Sequence, residues 1–318
     1  FFAFVSFFPQ LVAGPIERAK HLLPQFFQKK EFNYTMASEG FRYMLWGFFA
    51  KIAVADSVAP IVDRIFANYE TFNAGTLALG AILFSFQIYG DFAGYSNIAI
   101  GTAKIFGFDL MQNFNNPYFS SNIREFWSRW HISLSTWFRD YVYIPLGGSK
   151  CSKLRNGLNA MATFIISGLW HGANWTFVVW GAIHGFVYIL SKPFTLKHTE
   201  VNSKVSKLVS IVLTFMVVCF AFIFFRASSI NQAFQFIARI VTLSGGETRI
   251  SAMGILSIAI ALLFTVTLFS LEWFQRNRTH PLAIAHIKPI YRYAIYYSLI
   301  FAILYAFQTD RIFIYFQF

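Results

Sequence analysis

Charged residues are scarce in this sequence. Asp, Glu, Lys and Arg make up only 13% of its 318 residues, about half of the share that soluble domains carry. Hydrophobic residues make up 56% and aromatic residues 20%, and the mean hydropathy is +0.51. These values exclude a soluble globular domain and are typical of a polytopic membrane protein, whose packed helices count as one bundle. We therefore expect a single membrane-embedded domain over residues 1–318.

Cysteines and the common catalytic motifs are also scarce. The two cysteines are Cys151 and Cys219. Cys219 lies in the middle of an apolar run, so neither a disulfide framework nor a thiolate metal site is expected. The sequence contains no H-E-x-x-H motif, no P-loop and no G-x-S-x-G nucleophile elbow. We expect no metal ion and no bound cofactor.

Negative charge is outweighed by positive charge, and the formal net charge is +12. The basic residues cluster in loops between apolar runs, which is the distribution that the positive-inside rule describes. The positive charge therefore does not indicate binding to nucleic acid. Membrane lipid is the partner that this pattern favours.

Long uncharged runs are present, and they predict membrane spans because about 20 apolar residues cross the hydrocarbon layer as a helix. The spanning candidates are residues 71–90, 208–225, 250–271 and 293–309. Residues 41–66 are apolar but carry Lys51, Asp56 and Asp63. That segment is either a helix inside the bundle or a helix at the membrane interface.

Two further segments complete the predicted architecture. Residues 91–101 are rich in small side chains, which suits close helix packing. Residues 104–155 mix aromatic and arginine side chains and contain no window apolar enough to span, which favours an interfacial or re-entrant layer. The predicted fold is all-α, a polytopic transmembrane helix bundle with re-entrant or interfacial helices around a central tunnel.

Residues 156–191 contain no Asp, Glu, Lys or Arg, and their ionisable side chains are His171 and His184. A helix rises 1.5 Å per residue, so this run is too long for one crossing of a layer about 30 Å thick. It suits two shorter passes with a break at residues 168–174, after which Asn174 caps the second helix.

An ionisable side chain within the membrane indicates a functional site. His171 lies in the predicted break and is suited, as a neutral imidazole, to act as a general base on a hydroxyl. The alternative is a core histidine that is hydrogen-bonded to a backbone carbonyl, and the sequence leaves both open. His184 lies in the middle of a helix, where we expect a structural role.

A second candidate site lies at residues 124–140. If this segment is one helix, one of its faces carries Trp127, His131 and Ser135. The side chains suited to contact an anion are Arg124, Ser128 and Arg139. A solvated interfacial helix with an aromatic belt has the same pattern, and the pattern alone favours that alternative.

Two motifs carry a family resemblance: EFWSRWHISLSTWFRDYVYIPLGGS at residues 125–149 and SGLWHGANWTFVVWGAIHG at residues 167–185. They resemble the membrane-bound O-acyltransferase family, in particular its bacterial subgroup of alginate O-acetyltransferases and D-alanyl-lipoteichoic acid transfer proteins. Supporting segments occur in the expected order: PQLVAGPIERAKHLLPQF, FQIYGDFAGYSNIAIGTAKIFGF, NFNNPYF, FFRA and FIYFQF. Family members have further spanning helices upstream, so the resemblance implies a C-terminal part of a longer protein.

The resemblance also implies site residues. His171 matches the catalytic histidine of the family, and His131 matches the second histidine of this subgroup, which positions the acyl donor or stabilises charge. The residues expected to line the substrate tunnel are Trp130, Trp170, Asn174 and Arg124.

The function that follows is O-acyl transfer at a bacterial inner membrane. The resemblance implies a thioester donor, acetyl-CoA or a carrier-bound acyl group, and a hydroxyl acceptor on an extracytoplasmic polysaccharide such as alginate. A periplasmic SGNH-type acetyltransferase is the expected protein partner. The alternatives are D-alanyl transfer to teichoic acid, a transporter or flippase, and a structural subunit of a glycan export complex.

Overall fold

The computed structural model describes residues 2–11, 14–191, 203–247 and 255–307. The described residues are largely helical, and the β-structure found among them is an isolated bridge between Phe72 and Glu247. The α-helices in chain order are α1 Phe2–Val5, α2 Ala19–Phe26, α3 Tyr34–Phe48, α4 Asp56–Ala67, α5 Ala74–Ile105, α6 Ile123–Arg129, α7 Ile132–Phe138, α8 Lys153–His171, α9 Trp175–Leu190, α10 Lys204–Arg226, α11 Ile230–Val241, α12 Ile255–Gln275 and α13 Pro289–Ala306.

Four helices of the described chain are long and apolar enough to cross a membrane. One of them runs through α3, a π-helix at Phe49–Ala55 and α4, and the others are α5, α10 and α12. The predicted spans at 71–90, 208–225 and 250–271 fall on α5, α10 and α12, although residues 250–254 lie outside the described residues. The predicted span at 293–309 falls on α13, which is not among these four, and residues 308 and 309 are not described.

The described chain divides into two compact units. The first takes in residues within Phe1–Pro60, Phe86–Asn115 and Met253–Gln317. The second takes in residues within Ile61–Ser85 and Asn116–Ala252. The two segments that carry the family motifs both belong to the second unit.

In the first unit, α3 and the π-helix pack closely on the second half of α5. A Cβ added at Gly94 would lie 2.7 Å from the carbonyl oxygen of Gly47, and a Cβ at Gly40 would lie 2.6 Å from that of Gly101. A real Cβ atom does not come this close to a carbonyl oxygen, so these positions must be glycine for the two helices to pack as they do. The prediction that residues 91–101 serve close helix packing is therefore confirmed.

Two charged residues of the first spanning helix, Lys51 and Asp56, are paired inside the first unit, whereas Asp63 belongs to the second unit and pairs there with Arg226 at 2.8 Å. The Lys51 ammonium lies 2.6 Å from Asp91 on α5 and 2.7 Å from Asp56, and the three side chains are largely buried. A buried charge needs such partners, because an isolated one costs several kcal/mol in a medium of low polarity. Of the two alternatives for residues 41–66, the structure selects the helix inside the bundle.

In the second unit, α8 and α9 form an antiparallel hairpin, as predicted for residues 156–191. The predicted break at 168–174 is too long, because α8 continues through His171 and only residues 172–174 separate the helices. Gly168 lies inside α8, where it lets α9 approach: a Cβ there would collide with the carbonyl oxygen of Phe177. Gly168 therefore serves helix packing and does not end the helix.

The prediction of one continuous helix at residues 124–140 is wrong. Helix α6 ends at Arg129 and α7 begins at Ile132. Between them His131 has φ 43° and ψ 53°, in the left-handed region. This residue interrupts the helix, so the predicted face of Trp127, His131 and Ser135 does not form.

Candidate active site

His171 is the last residue of α8 and lies at the tip of the α8–α9 hairpin. Gly172 follows it with an extended backbone, φ 170°, which ends the helix. Asn174 then begins α9, because its side chain accepts a hydrogen bond from the backbone N–H of Thr176 at 3.0 Å, which confirms the predicted cap.

The surroundings of the His171 ring are aromatic. Ring centroids lie at 5.1 Å for Trp170, 5.2 Å for Trp180 and 5.2 Å for Phe225, each in an edge-to-face arrangement. The ring is partly exposed. Edge-to-face packing of this kind holds an imidazole in place.

His131 is buried and lies near His171. The Trp170 ring bridges them, with centroid distances of 6.5 Å to His131 and 5.1 Å to His171. Burial, and then the positive charge that His171 carries when protonated, lower the pKa of His131 well below its usual value. His131 is therefore neutral at pH 7, and the structure brings the two predicted histidines into one site.

A cavity of about 470 Å³ lies beside the two histidines in the second unit. Ile132, which follows His131, and Ser167, one helical turn before His171, both line it. The histidines themselves are not among its lining residues. The predicted anion contacts Arg124, Ser128 and Arg139 all line this cavity, together with Trp127, Leu134, Ser135, Thr136, Phe138, Tyr143, Ala160, Thr163, Phe164 and Tyr188.

Arg124 is the one predicted tunnel residue that lines this cavity. Its guanidinium donates to the carbonyl oxygen of Tyr188 at 2.8 Å and lies 3.9 Å above the centre of the Tyr188 ring. Its Nε is buried and has no acceptor among the described residues. Arg139 adds a second cation, paired with Asp140 at 2.8 Å. Two guanidinium groups thus line the cavity, and that of Arg124 has no carboxylate partner among the described residues.

The other three predicted tunnel residues lie elsewhere around the site. Trp130 is buried and stacks on Phe126 with centroids 5.5 Å apart. Trp170 is 53% exposed and bridges the two histidines. Asn174 is exposed, caps α9 and donates from its amide to the carbonyl oxygen of Ser228 at 3.3 Å. Their role as tunnel lining stays a prediction.

Sequence reasoning missed a polar stripe on α9, which consists of Thr176, Trp180 and His184. All three are buried, and neither ring nitrogen of His184 has a hydrogen-bond partner in the described part of the chain. The His184 ring is enclosed by aromatic rings, including those of Trp127 and Trp180 at 5.0 Å each. Thr176, Trp180 and His184 are each four residues apart in an uncharged run, and this spacing could have predicted that they share one face of the helix.

A metal ion finds no ligand set here: no three His, Cys, Asp or Glu side chains come together within the described ranges. The site therefore offers imidazole, indole and guanidinium groups. Such groups can accept a proton, donate hydrogen bonds and bind an anion.

The sequence model of the membrane-bound O-acyltransferase family matches residues 1–234. This stretch contains both histidines, the cavity and the α8–α9 hairpin. The chain belongs to the membrane-bound O-acyltransferase family. As a member of this family with several apolar helices, it is a multi-pass membrane protein.

Curated relatives within the membrane-bound O-acyltransferase family fall into two groups. A probable alginate O-acetylase of Azotobacter vinelandii is 41% identical over 238 residues, 75% of this chain and 47% of that protein. A peptidoglycan O-acetyltransferase of Helicobacter pylori is 37% identical over 244 residues, 76% of this chain and 46% of that protein. A teichoic acid D-alanyltransferase of Streptococcus thermophilus is 29% identical over 252 residues, 71% of this chain and 60% of that protein. The chain spans about half the length of the O-acetylating relatives.

Proposed function

We propose that this chain carries the active site of a membrane-bound O-acetyltransferase. The enzyme moves an acetyl group from a thioester donor to a hydroxyl of an extracytoplasmic polysaccharide. The observation that carries the proposal is the pair of histidines at the hairpin tip: His171 in its aromatic surroundings, with the neutral His131 bridged to it by Trp170. Two O-acetylating relatives at 37% and 41% identity support the acetyl group and the glycan acceptor.

The chemistry assigned to His171 is general-base catalysis. Its neutral imidazole takes the proton of the acceptor hydroxyl as the hydroxyl oxygen attacks the thioester carbonyl carbon. When the intermediate collapses, the carbon–sulfur bond breaks and the thiolate takes the same proton from His171. The reaction then needs no net proton from outside.

His131 supports this step as a neutral hydrogen-bonding group. Its low pKa keeps it from adding a second positive charge beside His171 during the proton transfer. It either positions the acyl donor or stabilises charge that develops on it.

The donor enters through the cavity beside the histidines. Its two guanidinium groups, Arg124 and Arg139, suit the phosphate of acetyl-CoA or of a carrier-bound pantetheine arm. Ser167 and Ile132 lie at the part of the cavity wall next to the histidines, where the thioester must arrive.

The acceptor, the partner and the membrane follow from the same proposal. Alginate and peptidoglycan are acted on by the relatives according to their names, and either class of glycan presents the hydroxyls that the mechanism requires. We propose a bacterial inner membrane as the location and a periplasmic SGNH-type acetyltransferase as the protein that relays the acetyl group.

D-alanyl transfer to teichoic acid is the second candidate function, supported by the relatives at 29% and 30% identity.

The test uses the full-length enzyme in proteoliposomes, with acetyl-CoA as the donor and an alginate or peptidoglycan fragment as the acceptor. We expect His171→Ala to lower kcat by about 10²–10⁴-fold, because a general base contributes that much. His286→Ala is the matched control, since His286 is exposed in the first unit. Wild-type activity in the His171→Ala variant would show that His171 is not the base. If the wild-type protein moves substrate across the membrane and leaves the thioester intact, it is a transporter.

A further inference from the structure

The buried stripe on α9 carries unpaired polar groups, and one of its members, Trp180, packs on His171. Thr176 Oγ1, Trp180 Nε1 and both nitrogens of His184 are buried without a hydrogen-bond partner among the described residues. An unpaired buried donor or acceptor destabilises the folded state, so native folds retain few of them. Several such groups on one helix face indicate that the site is built to bind a polar group.

Trp180 is the member of the stripe that contacts the proposed base. Its ring is 2% exposed and meets the His171 ring edge-to-face, with centroids 5.2 Å apart and an interplanar angle of 89°. His184 packs on the same indole at 5.0 Å, and Phe225 packs on it at 5.2 Å. These rings leave the indole with a fixed orientation and a dry N–H.

The other two rings around His171 do not offer this combination. Phe225 has no polar atom. Trp170 is 53% exposed, so the protein does not enclose its ring. A hydrogen bond is stronger where water is excluded, and Trp180 is therefore the dry donor beside the proposed base.

We propose that Trp180 is a catalytic residue that stabilises the oxyanion of the transfer reaction. This inference rests on the proposed function. As the acceptor oxygen bonds to the thioester carbonyl carbon, its proton passes to His171 and the carbonyl π electrons move onto the carbonyl oxygen. That oxygen accepts a hydrogen bond from Trp180 Nε1. Collapse restores the carbonyl, breaks the carbon–sulfur bond and returns the proton from His171 to the thiolate.

A hydrogen bond from Trp180 would accelerate the reaction because the donor is already in place before the charge develops. A donor that is fixed before the reaction and shielded from water stabilises the developing charge without reorganising, and the loss of one such donor typically costs about 10²–10³ in kcat. The interaction strengthens only as charge develops, so it acts on kcat more than on donor binding.

The test compares Trp180→Phe with the wild type in the full-length enzyme in proteoliposomes, with acetyl-CoA as the donor. We expect kcat to fall about 10²–10³-fold while KM for acetyl-CoA changes by less than about threefold. Trp175→Phe is the matched control, because Trp175 is on the same helix and 72% exposed. It should retain wild-type kcat.

If Trp180→Phe does not fold, a benzothienylalanine at position 180 keeps the bicyclic shape and replaces the N–H with sulfur. A folded variant of either kind with kcat within about threefold of the wild type would overturn the assignment. If His171→Ala is inactive while Trp180→Phe is active, only this inference fails. If the wild type leaves the thioester intact, the proposed function fails and takes this inference with it.

Discussion

The backbone of His131 has a conformation that few side chains tolerate. A left-handed conformation costs a non-glycine residue about 1–2 kcal/mol, and strained residues of this kind cluster at functional sites. Histidine, asparagine and aspartate accept it more readily than other residues do. The position therefore combines two requirements, an imidazole beside His171 and a left-handed backbone between α6 and α7.

These two requirements can be separated by substitution. We expect His131→Asn to keep the fold, because asparagine tolerates the left-handed region, while kcat falls by about 10²-fold through loss of the imidazole. His131→Val should lose activity and also lower the free energy of unfolding by about 1–3 kcal/mol. The measurements are turnover and thermal unfolding in detergent. Equal stability of the two variants would contradict the role of the backbone conformation.

The residues of the site were only partly predictable from the sequence. His171 and His131 were found through their motifs, and the structure brings them together. The turn at His131 was missed because no glycine or proline marks it. Trp180 was missed because a buried aromatic residue on a helix has the same pattern whether it packs the core or donates to a substrate.

The α8–α9 hairpin positions His171, and its geometry depends on glycines. Gly168 on α8 lies against the backbone of Phe177, and Gly181 on α9 lies against that of Phe164. The sequence predicted the hairpin from an uncharged run that is too long for one pass. It misplaced the break, because a glycine that admits a neighbouring helix cannot be told from one that ends a helix without knowing the neighbour.

The packing role of Gly168 predicts a difference between two glycines of the same helix. Gly168→Ala should destabilise the protein by about 1–3 kcal/mol, since the new methyl group meets backbone that cannot move aside. Gly157→Ala should be neutral or stabilising by up to about 1 kcal/mol, because its nearest neighbour is 3.8 Å away and alanine favours helix. Thermal unfolding in detergent compares the two. A stable Gly168→Ala variant with full activity would exclude the packing role.

Across the whole chain, apolar runs determined the helices that the sequence could predict. The runs at 71–90 and 208–225 fall on α5 and α10 because about 20 apolar residues form a helix that can cross the hydrocarbon layer. Hydropathy did not decide the position of residues 41–66. Lys51 of that segment is paired in the first unit with Asp56 and Asp91, and the pairing with Asp91 is a long-range contact that a single sequence does not contain.

The buried charges of Lys51, Asp56 and Asp91 should matter for the folding of the entire protein. We expect Lys51→Met to destabilise it by about 3–5 kcal/mol, because two carboxylates are left without their cation. Lys29→Met removes a cation from an exposed pair with Glu31 and should cost less than about 1 kcal/mol. The yield of monodisperse protein and the unfolding temperature in detergent measure both. Similar values for the two variants would mean that the buried ion pairs contribute little.

The length of α9 has a consequence for the lipid around the proposed site. Its 16 residues extend about 24 Å at 1.5 Å per residue, several ångströms less than the usual thickness of the hydrocarbon layer. A bilayer accommodates a short helix by thinning around it. Thinning of this kind would bring the lipid headgroups closer to the end of α9 that follows His171, where the proposed mechanism needs the acceptor hydroxyl to arrive.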